Sequence, residues 1–301
     1  ATLGRYDPVL FTALSHTLLP VHLPSLSLSE IASLSWSFAS VGHHAQSRFF
    51  DRVVMVLEQH HAHFRLEDLA MCLWAIALTG YECLGVFAGE RKEGGREEGE
   101  GGWVKKKKEE LRTMRPSDEV KLFWALAKLL PPHDCMISEG GKEGTSTLRE
   151  ELLNAICQDL RTKLATFSPQ DLVMTTWALA RLYGAIGPSD SALAPASSTK
   201  KLLTHLCKQL PARLPYFTAT ELASLLLSLG ALHQPLDTLW DSFKKEVERR
   251  LKMLLDADEG GVGGGGGMRG KGEGEEDGFF HLARCQAALS IWEGTGGGGD
   301  G

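Results

Sequence analysis

Five histidines between positions 43 and 63 are the first candidates for chemistry, because imidazole nitrogens are common metal ligands. They are His43, His44, His60, His61 and His63. They lack a His-x3-His pair that would place two ligands on one helix face together with an acidic residue. We therefore interpret the cluster as a solvated loop and helix end, and we predict no metal site.

The six cysteines offer no better site, since the chain has no CxxC pair and the shortest separations are 11 and 22 residues. Neither a zinc ribbon nor a dense disulfide framework fits that spacing. Cys157 and Cys207 share one slot of a repeated helix, and Cys72 and Cys285 share another. We predict that they are small buried hydrophobic residues in a reducing compartment.

The short signatures of common enzymes are missing as well. There is no nucleophile elbow, no HExxH, and no glycine loop that ends in Lys-Ser or Lys-Thr. The glycine run at 263–267 lacks the flanking strand and helix of a nucleotide loop, so we interpret it as a linker. The sequence therefore predicts a protein that is not an enzyme and has no cofactor or small-molecule substrate.

The distribution of glycine separates inserts from a structured body. Of 33 glycines, 27 lie in the segments 85–102, 140–144, 256–278 and 294–301. The rest of the chain is poor in glycine and rich in Leu, Ala and Ser, which disfavours an all-β fold. The formal net charge of −6 becomes about +2 without the acidic segments, so charge neither supports nor excludes a polyanionic partner.

An internal repeat organises this body. Four tryptophans anchor the stretches SEIASLSWSFASVG, EDLAMCLWAIALTG, SDEVKLFWALAKLL and QDLVMTTWALARLYG. A fifth copy, TELASLLLSLGAL, has Leu227 at the anchor, and a weaker sixth copy, HLARCQAALSIW, has Ala287. The anchors Trp36, Trp74, Trp124 and Trp177 and these two residues are 38, 50, 53, 50 and 60 residues apart. The spacing indicates a unit of about 38 residues that inserts lengthen.

Each copy begins with the signals of a helix start. Ser27, Ser168 and Thr218 stand three residues before an acid, which is the capping-box arrangement. Pro116 and Pro169 follow the cap position, where proline loses no hydrogen bond. An apolar residue before the cap and another five residues later predict a hydrophobic staple, except that the third copy has Glu119 at the second position.

A second helix lies between most anchors. Residues 152–164 and 202–214 align without gaps, residues 49–61 keep the same register, and an amphipathic stretch runs from 239 to 254. A single helical hairpin cannot bury its own apolar face, so we predict an all-α fold, an α-solenoid with the hairpins stacked in a right-handed superhelix. No apolar stretch reaches the roughly 20 residues needed to cross a membrane.

The predicted organisation has three parts. Residues 1–25 form a partial repeat with the second helix only, 26–292 hold five to six hairpins, and 293–301 are a glycine-rich disordered tail. The predicted low-complexity inserts are 85–102, 131–147, 185–198 and 256–278. The chain begins at Ala1, and no targeting segment is visible in it, so the residues themselves do not indicate a localisation.

One face of the first helix differs from copy to copy. The positions seven and three before the anchor and four after it change, whereas the core positions repeat. A modular binding protein needs such a constant scaffold with variable side chains, although ordinary surface variation explains the pattern equally well. We interpret the anchor tryptophans as core packing between hairpins rather than base stacking, and the run 105–108 of lysines as a solvated helix start rather than a phosphate patch.

The stretch FSPQDLVMTTWALARLYG (167–184) resembles the octotricopeptide repeat of algal organellar RNA-maturation factors. The whole set is similar to the helical repeats of FAST-kinase-domain and RAP-domain proteins and of the RNA-editing substrate-binding complex subunit 6. The resemblance implies sequence-selective binding of single-stranded RNA in mitochondria or chloroplasts, in transcript stability, rRNA or mRNA processing, or translation. This chain differs from those proteins in its long inserts and in the lack of a RAP-like module after the sixth copy.

From these considerations we predict an RNA-binding surface on the variable face. Its candidate residues are Lys121, Lys128, Gln170, Met174, Arg181 and Arg284. The expected partners are single-stranded RNA and other RNA-processing proteins, with no membrane involved. The alternative is a protein-interaction scaffold of the armadillo or tetratricopeptide type, which uses the same surface for a peptide.

Overall fold

The computed structural model describes residues 7–18, 22–42, 48–81, 100–130, 148–183, 197–232 and 237–259. In these ranges the chain has eleven α-helices and no strand, which confirms the all-α prediction for this part of the protein. They are α1 (Pro8–Ala13), α2 (Leu28–Ser40), α3 (Arg48–His60), α4 (Leu66–Thr79), α5 (Glu100–Thr113), α6 (Pro116–Leu129), α7 (Leu148–Lys163), α8 (Pro169–Tyr183), α9 (Ser197–Arg213), α10 (Ala219–Ala231) and α11 (Asp237–Glu259).

The helices alternate between two kinds. The A helices, which carry the anchors, are α2, α4, α6, α8 and α10, and the B helices are α3, α5, α7, α9 and α11. Short 3-10 turns, such as Leu164–Thr166 and Leu214–Tyr216, connect a B helix to the following A helix. The sixth copy, with Arg284 and Ala287, lies outside the described residues.

The predicted caps form in the copies that carry them. The Ser27 hydroxyl accepts a hydrogen bond from the Glu30 amide, and the Glu30 carboxylate accepts one from the Ser27 amide. Ser168 with Asp171, and Thr218 with Glu221, make the same pair of bonds. Since these side chains satisfy amides that the helix itself leaves open, the start of each helix is specified locally.

The chain divides into two compact units, one formed by 1–166 with 196–199 and the other by 167–195 with 200–301. In the first unit, α2 packs on α4 and α4 packs on α6, while the B helix α5 packs on α7. In the second unit, α8 packs on α10, and α11 packs on the turn Leu214–Tyr216. Within each unit, successive A helices are therefore direct neighbours.

The apolar interior of each unit comes from a fixed stripe of the A helices. The residues five before, one before and two after the anchor are all buried. In α4 they are Leu69, Leu73 and Ile76, and in α10 they are Leu222, Leu226 and Leu229. The B helices contribute residues such as Leu57, Ile156 and Leu206 from their inner faces.

Three predicted insert boundaries differ from the helices of the structure. Helix α5 begins at Glu100 and α9 begins at Ser197, so both start inside a predicted insert. Helix α11 continues to Glu259, beyond the predicted start of the last insert. In the described part of the chain, no helix combines the length and the hydropathy that a membrane span requires.

Candidate functional site

The candidate site is the unburied face of the A helices, which we call the A face. It consists of the anchor and the residues seven before, three before and four after it, because this spacing repeats along one side of an α-helix. Its members are Ser29, Ser33, Trp36 and Ser40 in α2, Glu67, Met71, Trp74 and Leu78 in α4, Ser117, Lys121, Trp124 and Lys128 in α6, Gln170, Met174, Trp177 and Arg181 in α8, and Thr220, Ser224, Leu227 and Ala231 in α10. Every one of these residues is half-buried or exposed.

The interpretation of the tryptophan anchors as core residues was wrong. Trp36, Trp74, Trp124 and Trp177 are half-buried, and Leu227 at the same position is 62% exposed. The physical reason is that the buried stripe runs through the positions one before and two after the anchor, so the anchor itself faces away from the interior. The repeated Leu and Phe residues of that stripe were the signal in the sequence for this orientation.

In the first unit, three A faces lie next to each other. Helix α2 packs on α4 and α4 on α6, and each leaves the same face unburied. A hydrogen bond of 3.1 Å from the Ser29 hydroxyl to the Asp68 carboxylate joins the first turns of α2 and α4. Their anchors are therefore in matching register on adjacent helices.

The two predicted lysines of this unit both lie on α6. Lys121 Nζ is 3.1 Å from Asp118 Oδ1, one turn earlier in the same helix. Lys128 is exposed, and its Nζ lies 5.0 Å from the centroid of the Trp124 ring, which is a cation–π contact. Both ammonium groups are at the surface, and Lys128 is held beside an aromatic ring.

The other predicted residues that the structure describes lie on α8, in the second unit. Gln170 and Arg181 are exposed, and Met174 is half-buried between them on the same face as Trp177. The structure thus places Gln170, Met174 and Arg181 together, and Lys121 and Lys128 together, each group within its own unit. Arg284 lies outside the described residues.

A second set of cations, which the sequence analysis missed, binds backbone carbonyls inside each unit. We call these residues of the B helices the seam cations: Lys107, Lys163, Arg213 and Arg250. Each donates hydrogen bonds to the end of the preceding B helix or to the turn between that helix and the next A helix. The accepting carbonyls are those of Phe64, of Leu111 and Met114, of Phe167, and of Leu214 and Pro215. Since Lys163 and Arg213 occupy the same slot of the gapless alignment, the repeat contained the signal for this role.

Lys107 corrects the interpretation of the lysine run. Its side chain is fully buried, whereas Lys105, Lys106 and Lys108 are exposed. Lys107 Nζ donates to the Phe64 carbonyl and lies 3.0 Å from the carboxylate of Glu110, which in turn accepts a bond of 2.7 Å from the Leu66 amide. Residue Arg65 provides no side-chain cap for α4, so Glu110 supplies the missing cap from a neighbouring helix.

Glu119, the residue that interrupts the staple pattern, is buried beside another seam cation. Its carboxylate lies 2.8 Å from Lys163 Nζ, which also pairs with Asp159. Burial raises the pKa of Glu119 to about 8, and the nearby Asp159 adds to that effect, although the bond from Lys163 opposes it. Burial opposes the charge of Lys163 too, but its bonds to Asp159 and Glu119 outweigh this and raise its pKa. Glu119 therefore keeps its proton to a higher pH than an exposed carboxyl group, while Lys163 stays charged.

The remaining candidates for chemistry have the following places. Cys72 and Cys157 are buried and Cys207 is half-buried, none of the three is in a disulfide, and Cys285 is outside the described residues. The His60 and His63 rings are 6.3 Å apart, and His43 and His44 are not described. Within the described ranges, no group of three His, Cys, Asp or Glu residues is arranged to hold a metal ion.

Comparison of the chain with protein-family models and with curated proteins found no match.

Proposed function

We propose that this protein is a non-enzymatic RNA-binding α-solenoid whose A face binds single-stranded RNA. The observation that carries the proposal is the A face itself, which keeps one register across neighbouring A helices while its side chains differ. Side-by-side packing of successive A helices is the arrangement expected of stacked helical hairpins. The same proposal includes the right-handed superhelix and the stacking of all five to six hairpins in it.

In this mechanism one kind of side chain binds phosphates and another contacts bases. Lys121, Lys128, Arg181 and Arg284 bind phosphate oxygens, which fixes the position of the strand without reading its sequence. Gln170 and Met174 meet base edges beside Arg181, as one helical repeat does in other modular RNA-binding proteins. The variation of the A face from helix to helix is then the source of sequence preference.

The cellular role that we propose follows from the resemblance of residues 167–184. It is organellar RNA metabolism in the mitochondrion or the chloroplast, by transcript stabilisation, RNA processing or translation, together with other RNA-processing proteins.

A peptide-binding scaffold is the second candidate function. It is favoured by apolar residues on the A face, since Leu78 is 38% exposed and Leu227 is 62% exposed. A peptide could bury such side chains, whereas a phosphate backbone could not.

The experiment compares two triple variants of the full chain in binding to a single-stranded RNA pool. One variant changes Lys121, Lys128 and Arg181 to Glu, and the matched control changes Lys106, Lys208 and Lys252, three exposed lysines of B helices, to Glu. Both variants alter the net charge equally. We expect only the A-face variant to lose binding, and the log–log salt dependence to flatten by roughly 0.7 for each phosphate contact removed.

Two results would contradict the RNA proposal. One is failure of the unmodified protein to retain any RNA at about 100 mM salt, where non-specific contacts are still measurable. The other is equal loss of binding in both triple variants, because that outcome would assign the binding to overall charge rather than to the A face.

A further inference from the structure

The tryptophans of the A face keep part of their surface open to solvent. Trp36, Trp74 and Trp124 are half-buried on three adjacent helices of one unit, while the buried stripe lies on the other side of each helix. The same position in α10 is filled by Leu227, which is 62% exposed. The interior therefore does not require an indole at this place.

The spacing of the A helices fits the stacking of bases on the indoles. Packed helices lie about 8–10 Å apart, whereas bases stacked in a strand rise by about 3.4 Å. A strand that offers one base to each A helix must therefore separate its bases from one another. An aromatic ring at each helix can replace the stacking that the bases lose.

The surroundings of Trp124 fit a stacked nucleotide. Lys128 Nζ lies over the indole, 5.0 Å from the ring centroid, so a base that stacks on this face displaces the ammonium group, which can then bind the phosphate of the same nucleotide. Lys121 is on the same face one turn earlier, three residues before Trp124. A base on the indole would therefore have ammonium groups within reach of its phosphate.

We propose that Trp36, Trp74 and Trp124 form a stacking platform for single-stranded RNA, with one base on each indole. This inference rests on the proposed RNA-binding function and names the residues that supply the base contact. Trp177, on α8 in the second unit, stacks a base in the same way. The side chains three before and four after each anchor flank the base and provide the selectivity.

The test uses the full chain and two probes of equal length and charge, oligouridine and an abasic ribose-phosphate strand. Trp74→Leu introduces the residue that α10 already carries at this position, and Trp74→Phe is the matched control that keeps an aromatic ring. We expect Trp74→Leu to weaken oligouridine binding by about 5- to 140-fold, the range for the loss of one stacked base. Trp74→Phe retains most of the affinity, and the abasic strand binds equally to all three proteins.

Intrinsic fluorescence supplies a second measurement. Oligouridine is expected to quench the tryptophan emission of the unmodified protein, and the abasic strand is expected to leave it unchanged. Equal affinity of the unmodified protein for both probes, or unchanged oligouridine binding by Trp74→Leu, overturns the stacking inference but leaves RNA binding in place. If the unmodified protein binds neither probe, the proposed function is overturned as well. Thermal unfolding followed by circular dichroism checks that each variant is folded.

Discussion

The lysines and arginines of the A face and the seam cations are the same residue types in different surroundings. Lys128 and Arg181 are exposed on A helices, whereas Lys107 is fully buried and Lys163 and Arg250 have side chains only 16% exposed. The first group faces outward, and the second group binds carbonyl oxygens of the protein itself. Residue type alone therefore does not tell a surface cation from a structural one.

The difference has a simple physical cause. The turns between B and A helices leave backbone carbonyls without helical hydrogen bonds, and burying such groups unpaired costs free energy. A long basic side chain from the next B helix can reach them, but its own charge must then be satisfied inside the protein. We infer that the seam cations hold neighbouring hairpins together within each unit, whereas the A-face cations lie at the surface, outside these contacts.

The largest effect is expected from removing a seam cation. Lys107→Met leaves the Phe64 carbonyl and the Glu110 carboxylate without the ammonium group between them, so the free energy of unfolding should fall by about 3–5 kcal/mol. Urea denaturation followed by circular dichroism measures the change. Lys108→Met is the matched control, and as an exposed neighbour it should change stability by less than about 0.5 kcal/mol. Equal effects of the two substitutions would contradict the distinction between seam and surface.

A smaller effect separates the A face from the core of the same helix. Leu179 is fully buried in α8, so Leu179→Ala should lower the free energy of unfolding by about 2–5 kcal/mol. Trp177, two residues earlier, is only partly buried, so we expect Trp177→Ala to lower the free energy of unfolding by less than Leu179→Ala does, although it removes a larger side chain. If thermal melting showed the greater loss for Trp177→Ala, the anchor would have to be assigned to the core after all.

The smallest effect tests the cluster around the seam cation Lys163 through its pH dependence. Because the folded protein raises the pKa of Glu119 from 4.5 to about 8, it binds a proton that the unfolded chain releases. Stability from this group is complete below pH 4.5 and falls as the pH rises toward 8. Lys163 stays charged over this window and adds no slope to it, since its pKa is raised from 10.5.

Glu119→Gln is the variant for this measurement, because the amide keeps an oxygen for Lys163 and cannot ionise. Its free energy of unfolding should lose the decline between pH 5 and pH 8 that the unmodified protein shows. A stability profile that rises over that interval in the unmodified protein would contradict the protonated state of Glu119.

Much of the secondary structure could be predicted from short-range patterns. The capping boxes at Ser27 and Thr218, and the cap at Ser168, were predicted from a hydroxyl and an acid three residues apart, and all three form. The helix starts at Pro116 and Pro169 also agree with the prediction. These features depend on neighbours within one turn, so the sequence contains the whole interaction.

The assignments that failed depend on neighbours distant in the chain. Trp74 is flanked by Ala and Leu, which is the local pattern of a core residue. It is half-buried because α2 and α6 cover a different side of α4. A lysine run beside an acidic insert has the pattern of a solvated surface, and only the approach of the Phe64 turn buries Lys107.

The sequence by itself determined the helical hairpin, its repeat and the ends of several helices, because these depend on local hydrogen bonding and on the periodicity of apolar residues. Only the tertiary structure decided which cations are enclosed, which face of each A helix remains open, and how Glu119 keeps its proton. The physical reason is that burial and the pairing of charge depend on atoms that the fold brings together from positions more than 40 residues apart.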